Sequence, residues 1–324
     1  MEYKAFGKTG LSVSAVSFGG APLGDMFGAA DERSALATVH SALDLGINFF
    51  DTSPYYGAGL SEHRLGRALA GHRDEVFIGT KTGRFVGDQF DYSPKRIRES
   101  LECSLRLLNT DYVDLFQLHD IEFVKLEPVF GESYAELVKL RGEGKCRFIG
   151  MTGYPLHTLG RAVTETELDA VLSYAHHTLL NTRLGTELLP VCEERGTALI
   201  NAASVSLGLL TSSGTRYANH PAGPQIRAAA ERARRHCRER GVNIGFLANQ
   251  FSIQRSGCPT TLIGTTSAEH LESAVRAASE PIDGELLGEV LALTADVHGV
   301  SWMSGLPENN GAGAATGGQE GASC

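Results

Sequence analysis

Four residues of different chemistry stand just past apolar runs in the first half of the chain. Asp51 follows INFF, Lys81 follows VFIGT, His119 follows VDLFQL, and Tyr56 lies shortly beyond Asp51 in SPYYG. A carboxylate, a phenol, an ammonium and an imidazole gathered in one place can move a proton to or from a carbonyl or alcohol oxygen. Carbonyl reduction also needs a hydride donor. No side chain supplies one, so this chemistry requires a nicotinamide cofactor. A free tyrosine titrates near about 10, and an ammonium beside it favours the phenolate. Lys81 is therefore expected to bring the pKa of the proton donor down. Asp51 is expected to pair with Lys81 and balance its buried charge, and His119 to donate a hydrogen bond to the substrate oxygen. On these grounds alone Tyr55 competes with Tyr56. Taken singly, each residue also has a plain structural reading: a turn aspartate, a solvated lysine, a packed histidine. Their recurrence at consecutive strand ends is what favours catalysis.

The elements that would position them form a regular series. After a hairpin expected over Tyr3 to Val13, strand-like runs AVSF, INFF, VFIGT, VDLFQL, RFIGMT, AVLSY, ALINA and TLIG alternate with helical patterns. Eight such pairs predict a closed parallel (β/α)8 TIM barrel, whose catalytic groups gather at the C-terminal rim of the strands. The strands are apolar throughout, as both-face burial demands. Ser93-Pro94 and Ser61-Glu62 read as helix starts, and Gly142 and Gly144 as the end of the fourth helix. Gln225 to Gln254 reads as one longer helical region and Glu285 to His298 as an extra C-terminal helix. Residues 1–304 thus read as one barrel. From Gly305 the chain is rich in Gly, Ala and Asn, and a disordered tail is expected to residue 324.

Composition narrows the partners. A net charge of −9 over 324 residues argues against nucleic acid, which needs basic patches. Six scattered cysteines with no C-x-x-C pair point to reduced thiols and a cytoplasmic protein. No apolar leader or run of about 18 apolar residues predicts a membrane segment. No Cys/His cluster has zinc spacing, so no metal is expected. His176 and His177 are adjacent, and in a strand they would face opposite ways. Gly57-Ala58-Gly59 lacks the last glycine of a Rossmann turn.

The runs GINFFDTSPYYGAGLSEHRLGRAL, LRLLNTDYVDLFQLHD and GKCRFIGMTGY resemble the signatures of the aldo-keto reductase family, in the family's order, from Tyr3 to Ala278. The resemblance implies a TIM barrel, NAD(P)H bound across the strand rim, and a catalytic tetrad at Asp51, Tyr56, Lys81 and His119, which selects Tyr56 over Tyr55. Tyr55 then falls among expected substrate-lining residues, with Phe85, His119, Phe123 and Trp302. The loops Gly83 to Pro94, which holds Tyr92, and Ser212 to Pro224 are expected to wall the pocket. SPYYGAGLSE, QLHDIEF and FIGMTGYPL resemble in particular the branch of L-galactose and L-fucose (D-threo-aldose) dehydrogenases, which implies oxidation of a free sugar to its lactone. By motif position, cofactor contacts are implied at Gly20, Ala21, Asp51, Thr152, Gly153, Tyr174, Ala203, Ser204, Val205, Gly264, Thr265, Thr266 and His270. Tyr174 stands where the family has glutamine. The segment Gly264 to His270 carries neither Lys nor Arg, and a 2′-phosphate needs cationic partners, so NAD is favoured over NADP. Two other functions stay open: an NADPH-dependent carbonyl reductase of secondary metabolism, and a cofactor-binding regulatory subunit like the potassium-channel β subunits.

Overall fold

The computed structural model describes residues 1–214 and 220–311. Eight parallel strands close into a barrel: β1 (Val16–Gly19), β2 (Phe49–Asp51), β3 (Phe77–Thr82), β4 (Val113–Leu118), β5 (Cys146–Gly153), β6 (Ala170–Tyr174), β7 (Ala198–Ala202) and β8 (Thr260–Gly264). Each pairs with its sequence neighbours, and β8 closes on β1 with Gly264 opposite Gly19. Alternation sends one set of side chains inward. Phe49, Leu115, Ala170, Leu172, Ala198, Ile200 and Leu262 fill the interior with Phe6 and Val13 of the N-terminal hairpin, Tyr3–Ala5 with Ser12–Ser14. The hairpin thus plugs the bottom of the barrel, with Phe6 edge-on to Phe49. The opposite set, including Phe18, Phe50, Ile78, Phe116, Ile149 and Val171, packs under the helices.

Around the barrel run α1 (Glu32–Asp44), α2 (Leu60–Ala68), α3 (Pro94–Leu108), α4 (Tyr134–Gly142), α5 (Leu156–Glu165), α6 (Leu189–Arg195), α7 (Pro224–Glu239), α8 (Ile244–Arg255), α9 (Ala268–Ser279) and α10 (Gly284–Thr294). Ser93 caps α3 as expected, accepting from the Arg96 N–H. Ser61 does not start α2. Gly59, in a left-handed conformation, precedes that helix, and the buried Ser61 hydroxyl instead donates to Gly20 O at 2.7 Å. The region from Gln225 to Gln254 is two helices, broken before Asn243, whose side chain caps α8. Between Gly83 and Pro94 a short hairpin forms that the sequence did not announce, Arg84–Phe85 with Gln89–Phe90.

The expected tail does not begin at Gly305. Asn309 is buried and donates to Glu122 O and Val124 O, both at 2.8 Å. Gly305 is left-handed, and a Cβ there would lie 2.2 Å from Glu122 O, so only glycine lets this strap lie down. Residues 312–324, and 215–219 of the loop from Ser212 to Pro224, lie outside the described residues. Among the described residues no helix is long and apolar enough to cross a membrane.

Several titratable groups are buried within this frame. Burial pushes the Glu62 carboxyl up to about 7, against a hydrogen bond from Thr80. Burial and the charge of Asp120 push Glu122 up to about 8. Burial drives His119 and His176 down to about 3 and His177 to about 4. The two carboxyls keep protons in the fold that the unfolded chain releases near 4.5, so their contribution is lost as pH rises through 7 to 8. The histidines act oppositely. The unfolded chain takes up protons below about 6.5, the fold does not, and stability falls on acidification. Stability should therefore peak at slightly acid pH. Above pH 6.5 it should decline by up to about 1.4 kcal/mol per pH unit for each carboxyl, the share of Glu62 ending near pH 7 and that of Glu122 near pH 8. Denaturant unfolding across this range checks it: Glu62→Gln and Glu122→Gln should each flatten the decline, and a slope unchanged in both would refute the assignment.

Candidate active site

Asp51 ends β2 facing inward, one residue pair above Phe49. Lys81 is the last inward residue of β3, and His119 follows β4 on the same rim. The register fixes their neighbours, with Asp51 opposite Gly79 and Lys81 opposite Gln117. The buried Lys81 ammonium has three protons and three acceptors: the Asp51 carboxylate, Thr52 O at 2.9 Å and the Tyr56 hydroxyl at 3.4 Å. Gln117 donates to the other Asp51 oxygen at 3.1 Å. Burial disfavours the Lys81 ammonium, but Asp51 and Tyr56 outweigh it and hold the group charged.

Tyr56 is positioned by close backbone packing. The turn Ala21–Gly24 after β1 lies directly on it, and a Cβ on Gly24 would sit 2.3 Å from the Tyr56 carbonyl carbon. Only the phenol of Tyr56 reaches Lys81. The Tyr55 hydroxyl accepts from Arg84 Nη2 at 3.1 Å instead. The geometry thus brings Tyr56, and not Tyr55, to Lys81. The expected lowering of the Tyr56 pKa is not what the site produces. Burial lifts it above its ordinary value, and the pull of Lys81 only partly offsets this, because the same enclosure that brings the ammonium close also strips the phenolate of water.

His119 lies edge-on to Tyr56, ring centres 5.7 Å apart. Its pKa of about 3 makes it a neutral imidazole at physiological pH, through burial that outweighs the pull of Asp120. Ser53 Oγ is 3.0 Å from His119 Nδ1 and accepts the Tyr55 N–H at 3.1 Å. Donating its one proton to Nδ1 leaves the His119 proton on Nε2. The carbonyl groups of His119 and Asp120 are pinned from behind by the Tyr92 hydroxyl, at 2.5 and 3.0 Å. Tyr92, expected along the pocket wall, is a buried brace.

The substrate-lining expectations divide. Tyr55 faces His119 at 5.8 Å between ring centres. Phe123 stacks on Phe90 at 4.6 Å beside Arg84. Trp302 stacks on Tyr154 at 4.3 Å, and Tyr154 in turn packs on Tyr174 of the inner layer. Phe85 lies under the Arg96 guanidinium of α3, 4.2 Å away, so its ring is taken up by the helix.

The expected cofactor residues lie along the adjoining rim. Gly19, Gly264 and Ala202, the last inward positions of β1, β8 and β7, carry no side chain larger than a methyl. That side of the mouth is lined by small residues, with Pro22 of the turn after β1 against Gly264, and the other is crowded with functional groups. Gly20 donates to Asp51 O at 2.7 Å, and Ala21 follows it. After β7, Ala203, Ser206 and Leu207 are all left-handed, a conformation that costs non-glycine residues of order 1 kcal/mol or more each. The Ser206 N–H turns back to Ala203 O at 2.8 Å and the Gly208 N–H to Val205 O at 3.0 Å. Ser204 is turned to Asn249 of α8 at 2.6 Å, leaving backbone at Ala203 to Val205 for any contact there. Thr265 accepts the Ser267 N–H at 3.0 Å, and Ser267 caps the twelve-residue α9 through the His270 N–H, with Thr266 between them. This rim fits a long, phosphate-bearing ligand. Thr152 is occupied by the Asp120 N–H at 3.0 Å. Gly153 turns its side-chain direction outward, onto Glu122 and Leu159, so only its backbone can serve a ligand.

Sequence reasoning missed Ser53, Gln117, Arg84 and Asp120. Ser53 sits between two residues that were singled out and Asp120 directly follows one, so adjacency was the available signal. Arg84 comes three residues after Lys81, but its approach to Asp120 depends on the unannounced hairpin. Among the described residues no group of three or more His, Cys, Asp or Glu could hold a metal. His176 bonds Ser173 and Ser301 while His177 stacks on Phe251.

Comparison with known proteins identifies the family. The Aldo/keto reductase family model matches residues 15–294. The chain is 42% identical to the L-galactose dehydrogenase of Arabidopsis thaliana, over 95% of this chain and 99% of that one. It is 34% identical to the D-arabinose 1-dehydrogenase of Saccharomyces cerevisiae, over 91% and 95% of the two chains. It is 30% identical to the D-threo-aldose 1-dehydrogenase of a Pseudomonas species, over 87% and 94%. Among solved structures, the holo form of an aldo-keto reductase from Bacillus halodurans superposes with a TM-score of 0.74 at 24% identity, covering 96% of this chain and 100% of the other, which supports the fold. A glycerol dehydrogenase from Gluconobacter oxydans gives 0.71 at 26% identity, over 89% and 93%. The chain therefore belongs to the aldo-keto reductase family and is an NAD(P)-dependent oxidoreductase.

Proposed function

We propose that the protein oxidises the anomeric hydroxyl of a free aldose to the lactone, with Tyr56 as base, Lys81 and Asp51 as its support, and His119 as the group that orients the reacting oxygen. The observation that carries the chemistry is the Lys81 ammonium, which points one proton at the Tyr56 hydroxyl and the others at Asp51 and Thr52 O. The sugar is supported by the relatives above, whose names cover L-galactose, D-arabinose and D-threo-aldoses. L-Galactose and D-arabinose share one configuration at the three carbons beyond the anomeric centre, so one pocket shape suits both.

Bound NAD(P) supplies the hydride acceptor. The chain itself handles the proton and the geometry. Tyr56 takes the hydroxyl proton as the carbonyl forms, and returns one to the oxygen in reduction. Lys81 stabilises the phenolate between those events. The Nε2–H of His119 holds the oxygen. Since burial keeps Tyr56 protonated at rest, oxidation should gain with rising pH across the alkaline range and reduction should lose. NAD is the cofactor we favour, because Gly264 to His270 offers a 2′-phosphate only His270. Among the described residues the cysteines are free thiols, four of five buried, which suits a reducing cytoplasm.

Tyr56→Phe should lower kcat by about 10²–10⁴-fold while cofactor titration stays as in the wild type; unchanged turnover would refute the role of Tyr56. In a fluorescence titration NADH should bind more tightly than NADPH, and His270→Arg should narrow the gap. Tighter NADPH binding by the wild type would reverse the cofactor assignment. Ser53→Ala should reduce kcat by about tenfold, the worth of one oriented hydrogen bond of roughly 1.4 kcal/mol, with little change in KM or Tm. Ser53→Thr should restore it; a Ser53→Ala enzyme with wild-type kcat would remove Ser53 from the mechanism.

A further inference from the structure

The loop after β4 carries an acid that the mechanism above leaves unused. Asp120 directly follows His119, is buried, and has a left-handed backbone with φ 53°. Its Oδ2 lies 3.7 Å from His119 Nε2, the nitrogen that Ser53 leaves facing the reacting oxygen, and 2.5 Å from Arg84 Nη1. Thr152 holds the Asp120 backbone N–H, and its hydroxyl is 3.5 Å from Oδ1. Arg84 is fixed in turn. It donates to the Tyr55 hydroxyl at 3.1 Å and to Asp88 at 2.8 Å, and its guanidinium stands 4.2 Å over the Tyr55 ring. Burial penalises the Asp120 carboxylate, but charged neighbours, Arg84 foremost at physiological pH, outweigh this and hold it below the ordinary range.

An enclosed ion pair of this kind returns little stability for the desolvation it costs. What it does here is set two rigid hydrogen-bonding groups beside the oxygen-binding nitrogen. A carboxylate has about four acceptor positions, and the contacts described use only some of them. The 3.7 Å between Nε2 and Oδ2 is a spacing that two oxygens on neighbouring carbons can bridge, one on each atom.

We propose that Asp120, oriented by Arg84, is a specificity-determining residue that accepts a hydrogen bond from a hydroxyl on the carbon next to the reacting carbon. The site thereby selects aldoses and other 2-hydroxy carbonyl compounds over simple aldehydes. This rests on the placement of the reacting oxygen between Tyr56 and His119. A substrate with hydrogen in place of that hydroxyl leaves a buried carboxylate facing a C–H, an arrangement that disfavours it strongly.

The test measures kcat/KM with saturating cofactor for two substrate pairs: L-galactose against 2-deoxy-L-galactose in oxidation, and glyceraldehyde against propanal in reduction. Wild-type enzyme is compared with Asp120→Asn and Asp120→Ala. The wild type should prefer the hydroxylated member by about 100-fold or more, and both variants should bring that preference below about tenfold. A variant that slows both members by one common factor, leaving the ratio untouched, would overturn the proposal, since general disturbance of His119 does that. A wild type without the preference overturns it too, even if the variants fail to fold. If L-galactose is not oxidised while glyceraldehyde is reduced, the lactone reading fails and the second pair alone decides the role of Asp120.

Discussion

The buried ammonium of Lys81 is the constraint on which the rest of the site depends. An isolated ammonium at this depth would lose its proton. It stays charged because the Asp51 carboxylate, on the neighbouring strand, accepts one of its hydrogen bonds and the Thr52 carbonyl accepts a second. Once those two are in place the third proton has one direction left, toward Tyr56. The position of the phenol, the charge beside it and the orientation of Asp51 by Gln117 all follow from satisfying one cation. The inner layer makes room for this, since Gly79, opposite Asp51, and Gly150, opposite Gln117, carry no side chain.

The rim is divided by side-chain size. From β2 to β6 the top inward positions are Asp51, Lys81, His119, Thr152 and Tyr174, and from β7 to β1 they are Ala202, Gly264 and Gly19. A barrel interior is ordinarily filled by side chains. Leaving three adjacent strands bare at the mouth sacrifices packing, and the left-handed residues after β7 add backbone strain. Both features make sense where a ligand lies. The crowded half is held by outer braces: Tyr92 under the His119–Asp120 carbonyls, and Glu122 binding the Tyr154 N–H and the Ser304 hydroxyl. Through Glu122 the C-terminal strap, with Trp302, is tied to the same rim.

Much of this was legible in the chain. The short apolar runs gave all eight barrel strands to within a residue or two at most ends, because both-face burial is written locally in composition. Ser93-Pro94 announced α3 because a cap is a contact between near neighbours. Ser61 misled for the same reason. It has the cap residue type, but Gly59 takes the start of the helix and the serine goes inward to Gly20, forty-one positions away. The strap from Gly305 to Gly311 looked like tail because it has almost no apolar content. What holds it is Asn309 and backbone bonded to Glu122, and such polar contacts leave no mark in composition.

The sequence by itself determined the barrel, the kinds of groups at its rim, and hence the class of reaction, since each is encoded in short runs and the residues that end them. Only the tertiary structure decided how those groups meet. It separated Tyr56 from Tyr55 by reach to Lys81, reversed the expected shift of the phenol, placed Ser53 against His119 Nδ1, and set Arg84 against Asp120. The physical reason is that these are contacts across strands, between residues from twenty-five to sixty-six positions apart. Their distances and their desolvation exist only once the barrel has closed.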